Sequence, residues 1–237
     1  MQRWMAAAAA ALLLAAPLAA DSQPLRGAAP DPHRFDAAIA AFETQDRASP
    51  PGRCRIVFVG SSTIRRWTTL EADMAPMAVL NRGFGGSHIA DVNFFFDRVV
   101  APYRPRAIVF YAGENDFDAD RPAPDVVADF ARFMDLKTEA LGDTPVYFVS
   151  LKPSRLREAE MGGQAWINER IREMSLTRSD LHYIDIVPAM LLPNRRPRDI
   201  FVEDGLHMTP AGYAIWTPII RGILLRDRPH SASCPGP

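Results

Sequence analysis

The chain has 237 residues, room for one α/β domain with extensions or two small domains, and too few for three. Hydrophobic residues make up 48% and charged residues 23%, a globular composition that excludes a wholly disordered chain and a multi-span membrane protein. The 27 Lys and Arg against 28 Asp and Glu leave a net charge of -1, so no whole-chain field exists to hold nucleic acid or an anionic membrane. Any partner must be recognised at a local site.

Arg3 followed by the unbroken apolar run Met5 to Ala16 reads as a secretory signal peptide over residues 1–20, cut near Ala20. The run falls short of the ~20 apolar residues that span a bilayer, so the expectation is export to the periplasm or the exterior rather than stable membrane insertion. From Asp21 to Pro32 the composition turns to Pro, Gly, Ala and Ser, a flexible lead-in. Phe35, Ile39 and Phe42 then recur at helical spacing, which predicts a helix over 33–46 that stops before Pro50-Pro51-Gly52.

Short β-rich runs follow at Ile56–Val59, Ala78–Leu80, Ile108–Tyr111, Val146–Val149 and Tyr183–Ile186. Helical stretches lie between and after them, at 87–99, 124–141, 163–175 and Pro210–Leu225. Five strands alternating with helices of this length imply βαβ units, a parallel sheet and one domain over 33–226. The Pro- and Ser-rich end, 227–237, reads as a loose tail. Cys54 and Cys234 are either one bridge or two separate thiols, and with neither a CxxC nor a Cys/His cluster a structural zinc is not expected.

In an open parallel sheet, ligands bind outside the carboxyl ends of the strands. The segments there are Gly60-Ser61-Ser62-Thr63, Asn81-Arg82-Gly83-Phe84-Gly85-Gly86-Ser87 and Gly113-Glu114-Asn115-Asp116, with Asp204-Gly205-Leu206-His207 beyond the fifth strand. A serine hydroxyl needs a base within hydrogen-bond reach to act as a nucleophile near neutral pH, and His207 is a base of the right kind. Asp204, three residues earlier, can reach the other ring nitrogen and fix its tautomer. An amide at Asn115 can donate to a tetrahedral oxyanion, whereas an ionised Asp there would repel it. Thr209 and Pro210 look like the N-cap and first residue of the last helix.

These four motifs, in this order, resemble the SGNH hydrolases, the GDSL-like esterase and lipase superfamily, over about Arg55 to Tyr213. The resemblance implies a three-layer α/β/α sandwich of flavodoxin-like type. It implies Ser62 as nucleophile, Ser62, Gly86 and Asn115 as the oxyanion hole, Asp204 and His207 as acid and base, and no metal or organic cofactor. The family's Gly-Asp-Ser-Leu reads Gly60-Ser61-Ser62-Thr63 here, with Ser61 as the alternative nucleophile. The activity so implied is hydrolysis of an acyl ester through an acyl-enzyme, on a small-molecule, glycan or lipid substrate. Short acyl groups are expected first; longer acyl chains, as for a lysophospholipase or thioesterase, or a non-catalytic glycan- or lipid-binding module on the same fold, are the alternatives. His88 with Asp91 is too small a set for a metal, and the basic run Arg195, Arg196 and Arg198 reads as a solvated loop.

Overall fold

A computed structural model of the protein describes residues 30–232 and residue 234; the signal peptide read over 1–20 and most of the lead-in lie outside the described residues. In chain order the elements are α1 (Asp36–Ala48), β1 (Ile56–Gly60), α2 (Ser62–Arg65), α3 (Leu70–Asp73), β2 (Val79–Gly83), α4 (Ile89–Phe94), α5 (Phe96–Val99), β3 (Ala107–Tyr111), α6 (Glu114–Asp118), α7 (Ala123–Leu141), β4 (Val146–Val149), α8 (Met161–Thr177), β5 (Leu181–Ile184), α9 (Val187–Met190) and α10 (Pro210–Asp227). The five strands form one parallel sheet in the order β2-β1-β3-β4-β5, the flavodoxin-like arrangement expected from the sequence.

Alternate strand residues divide between two cores, as the two-residue period of a strand requires. Val57, Val59, Ile108, Phe110 and Phe148 face the layer built by α1, α4, α5, α7 and α8, where Phe130, Phe133 and Ile167 meet them. Ile56, Phe58, Val109, Tyr111, Tyr147 and Val149 face the opposite layer, where Trp67, Tyr213, Trp216 and Ile220 pack. Trp67 is 1% exposed and rests against Phe58 and Trp216 in the core. Of the Phe94-Phe95-Phe96 run, only Phe94 is exposed.

Three elements depart from the sequence reading. β2 continues through Asn81 and Arg82 because it is an edge strand whose polar residues find partners: Arg82 is buried and pairs with Asp46 and the Tyr103 hydroxyl, and Asn81 donates to the Ile64 carbonyl at 2.6 Å. β5 begins and ends two residues earlier than predicted. After Ile184 the Asp185 carboxylate accepts from Val187 N at 3.0 Å, and the Ser150 hydroxyl accepts from Ile186 N at 3.0 Å, so the chain turns off the sheet there. The helix predicted over 87–99 starts at Ile89 and breaks at Phe95.

Gly60, the last residue of β1, has φ +138°, and a Cβ there would stand 1.8 Å from the Tyr111 carbonyl oxygen of β3. Only glycine lets the two strands close up at this level. No helix among the described residues is long and apolar enough to cross a membrane.

Cys54 and Cys234 form a disulfide across 180 residues of sequence. The tail read as loose is held over its described part: Ser231 and Cys234 are buried, Ser231 Oγ donates to the Pro105 carbonyl at 3.4 Å, and Ala232 N donates to Asp143 at 3.0 Å. Closing so long a loop restricts the unfolded chain, so replacing both residues with Ser is expected to cost about 2–4 kcal/mol of stability. A lower urea midpoint with an unchanged circular dichroism spectrum is the measurement; an unchanged midpoint would mean that the bridge adds nothing to stability.

Candidate active site

With the order 2-1-3, the connections leaving β1 and β3 run to opposite faces, which opens a crevice at the carboxyl ends of these two strands. Ser62 follows β1 after a single residue. Ser61 N donates to the Tyr111 carbonyl at 3.0 Å, which locks the turn to β3 and leaves Ser62 as the first residue of α2. Its hydroxyl lies 2.8 Å from His207 Nε2. Ser61 Oγ is buried and has no hydrogen-bond partner among the described residues, so of the two serines only Ser62 reaches the imidazole.

His207 Nδ1 stands 2.6 Å from Asp204 Oδ2. The other carboxylate oxygen accepts from the amides of Leu206 and His207 at 2.8 and 2.9 Å, closing the tight loop that Gly205 permits with φ +69°. Partial burial works to raise the Asp204 pKa, but the His207 ring bond and these two amide bonds outweigh it and hold the carboxyl well below its ordinary value. It stays ionised, so the imidazole presents Nδ1–H to Asp204 and a free lone pair at Nε2 to Ser62. Thr209 stands at the N-cap of α10 as expected, yet its hydroxyl donates to the Ile200 carbonyl at 3.1 Å instead of capping the helix.

Gly86 and Asn115 lie on the loops after β2 and β3. A Cβ at Gly86 would meet nothing within 4 Å; its φ of +84°, and not crowding, is what calls for glycine. Asn115 Nδ2 donates to the Ser87 carbonyl at 3.0 Å, and Asn115 Oδ1 accepts from Arg157 Nη2 at 3.1 Å. The Ser62 amide opens a helix and has no intrahelical partner. Neither it nor the Gly86 amide is bonded to a backbone carbonyl among the described residues outside helix and strand ladders. Two free N–H groups and an amide NH2 with one hydrogen uncommitted are a donor set suited to a developing oxyanion.

A wholly buried polar group underlies these loops. Lys152 Nζ bonds both oxygens of Glu114 at 2.9 and 2.7 Å, the Tyr111 hydroxyl donates to Glu114 at 2.9 Å, and Thr63 Oγ1 stands 3.5 Å from the same carboxylate. Burial opposes the Glu114 charge, but Lys152 and the bonded groups around it keep the carboxyl below its ordinary value. The loop after β4 carries further ties. Arg155 donates to the Val202 carbonyl at 2.9 Å, and Leu156 N donates to the Gly205 carbonyl at 3.0 Å. The end of the fourth strand is not among the segments read from the sequence; a Lys placed three residues beyond an apolar strand end is the available signal.

His88 and Asp91 lie at the start of α4: His88 N donates to Asp91 Oδ2 at 2.7 Å, and Arg34 pairs with the same carboxylate at 2.5 Å. Arg195, Arg196 and Arg198 are exposed, and His182 stacks on Tyr147.

The profile of the GDSL-like Lipase/Acylhydrolase family matches residues 52–215. The chain belongs to this family, whose members are ester-hydrolysing serine hydrolases. The fold is shared with a GDSL-like lipase from Bacteroides thetaiotaomicron at 19% identity, with a TM-score of 0.69 over 81% of this chain and 98% of that one. It is shared too with a lipase/acylhydrolase from Enterococcus faecalis at 20% identity, TM-score 0.59, over 75% and 98%. A carbohydrate esterase family 3 structure from Talaromyces cellulolyticus aligns at 15% identity, TM-score 0.60, over 73% and 97%. No curated protein sequence matches the chain.

Asp116, beside Asn115, is buried, and this pushes its pKa up to about 7 against the amide bond from Ile89 N at 3.0 Å. The native state therefore binds more protons than the unfolded chain between about pH 4 and pH 7, and this group's contribution to stability falls as pH rises through that window. Asp116→Asn removes the burden and can still accept from Ile89. The melting temperature of the variant relative to wild type is expected to be higher at pH 8 than at pH 5; a difference independent of pH would refute it.

Proposed function

We propose that the protein is an exported serine esterase that cleaves short acyl esters through an acyl-enzyme, with Ser62, His207 and Asp204 as the triad. The observation that carries this reading is the continuous chain from Ser62 Oγ through His207 to Asp204, at 2.8 and 2.6 Å. His207 Nε2 takes the Ser62 proton as Oγ attacks the carbonyl carbon. The imidazolium so formed faces an ionised Asp204, and the oxyanion is received by the amides of Ser62 and Gly86 and the Asn115 side chain. His207 then protonates the leaving alcohol, and water, deprotonated by the same nitrogen, releases the acid.

Short acyl groups are favoured because the strand-end connections at the nucleophile and at Asn115 are brief: Ser61 alone separates β1 from α2, and Ala112-Gly113 separate β3 from α6. Neither carries an inserted lid. One observation favours a longer acyl chain instead: Leu156, 61% exposed, sits against Gly205 on the acid-base loop, where an apolar tail could lie. Export is supported by the apolar start of the chain and by the Cys54–Cys234 disulfide, a bond that persists in oxidising compartments.

Wild-type protein is expected to be labelled by a fluorophosphonate probe and Ser62→Ala to be unlabelled, which separates a hydrolase from a binding module. Among p-nitrophenyl esters, acetate should be turned over faster than octanoate or palmitate; a strong palmitate preference would sink the short-chain assignment. His207→Ala should lower kcat by roughly 10³-fold or more with a much smaller change in KM. An unchanged kcat in that variant would remove His207 from the role of base.

A further inference from the structure

The amide of Asn115 has two ends that differ in chemistry but hardly in shape. Only the NH2 end can serve an oxyanion; the oxygen end would repel it. The surroundings of Asn115 decide between them. Arg157, which has donors and no acceptor, places Nη2 3.1 Å from Asn115 Oδ1. The Ser87 carbonyl, which has no donor, takes one hydrogen of Asn115 Nδ2 at 3.0 Å. Reversing the amide would set NH2 against a guanidinium and oxygen against oxygen, two unfavourable contacts in place of two hydrogen bonds. One N–H remains uncommitted.

Arg157 is itself held. Its side chain is 4% exposed, and the Nη2 that reaches Asn115 also bonds Asp118 Oδ2, at 3.0 Å, on the same short helix. Its Nε and Nη1 have no hydrogen-bond partner among the described residues, so the protein bonds of this buried side chain are those to Asn115 and Asp118. A cation on the carbonyl oxygen also polarises the amide and makes the remaining N–H a stronger donor.

We propose that Arg157 is a positioning residue for transition-state stabilisation: by holding the Asn115 carbonyl oxygen it fixes the amide with its NH2 end towards the reacting carbonyl. This rests on the esterase reading of Ser62 and Asn115 above. Arg157 touches no substrate in this role and acts only through Asn115.

The test is a double-mutant cycle on p-nitrophenyl acetate hydrolysis, using wild type, Arg157→Met, Asn115→Ala and the double variant, with melting temperatures and fluorophosphonate labelling rates measured alongside. Loss of one oxyanion donor costs about 10²–10³ in kcat. Arg157→Met should lose about 10- to 100-fold in kcat with KM nearly unchanged, and Arg157→Lys should recover part of the loss. In the Asn115→Ala background the same Arg157 change should cost less than about threefold, because the residue through which it acts is gone. An equal loss in both backgrounds would mean a structural role and overturn the proposal, as would an unchanged kcat in Arg157→Met. If the Met variant fails to fold, Arg157→Gln, which keeps a donor of smaller reach, takes its place in the cycle under the same criteria. A wild type that is neither labelled nor active would overturn the esterase reading and this inference together; a labelled, active wild type with no coupling overturns only this one.

Discussion

The close approach of β1 and β3 at their last paired residues governs the site. Gly60 and Tyr111 lie opposite each other in the parallel register, and no side chain at position 60 would fit beside the Tyr111 carbonyl. The bond from Ser61 N to that same carbonyl extends the pairing by one amide before both chains turn away. Two consequences follow from this single constraint. Ser62 leaves the sheet at a fixed height and direction, and the Gly113-Glu114-Asn115-Asp116 segment starts from the neighbouring strand at the same level. A parallel sheet brings all strand ends to one edge; the glycine brings the ends of β1 and β3 close together.

What remains is to hold loops that come from different strands in one arrangement, and the loop after β4 does much of this. Between Leu151 and Arg157 it bonds to the segment after β3 and to the loop of Asp204 and His207. Lys152 reaches Glu114 and, through it, the hydroxyl of Thr63 next to Ser62. Arg155 and Leu156 bind the loop of Asp204 and His207 at Val202 and Gly205. Arg157 binds Asn115. On the other side Asp116 accepts from the Ile89 amide and ties the third strand's loop to the start of α4, just past Gly86. The arrangement of these loops is thus set by bonds between them and not by each loop alone.

The sequence was most legible where a single physical signal decided the structure. Ile56–Val59, Ile108–Tyr111 and Val146–Val149 are central strands, buried on both faces, and their continuous apolar runs could be read directly. β2 was read too short because Asn81 and Arg82 look like loop residues until Asp46 and Tyr103, far away in sequence, are known to receive the arginine. β5 is placed two residues late because Ile186 is as apolar as Leu181, and the turn is set by Ser150, just past the end of β4. At the site, motif order points to Ser62, Gly86, Asn115, Asp204 and His207, and of these the structure puts Ser62, His207 and Asp204 in hydrogen-bond contact. Lys152 and Arg157 escaped notice for a physical reason. Lys and Arg are rarely buried unless paired, so without their partners both look like solvated charges.

The buried charges beneath the site bear on why such an arrangement exists at all. Lys152 and Glu114 are each about as inaccessible as any residue in the core. Withdrawing two charges from water costs several kcal/mol per ion, which their attraction offsets only with good geometry, and apolar residues of similar volume often serve stability as well or better. Stability is therefore a weak reason for an ion pair here. Direction is a better one. Apolar packing resists compression but tolerates sliding, whereas a carboxylate bonded to an ammonium and a phenol fixes both the distance and the angle between the loops that carry them. Glu114 belongs to the helix of Asn115, Lys152 to the loop of Arg157, and Thr63 to the turn of Ser62, so one carboxylate references three strands to a common point. Donors that need not move when charge appears are what the proposed oxyanion hole would require, and a buried ionic joint beneath Asn115 and Ser62 is a means of keeping them still.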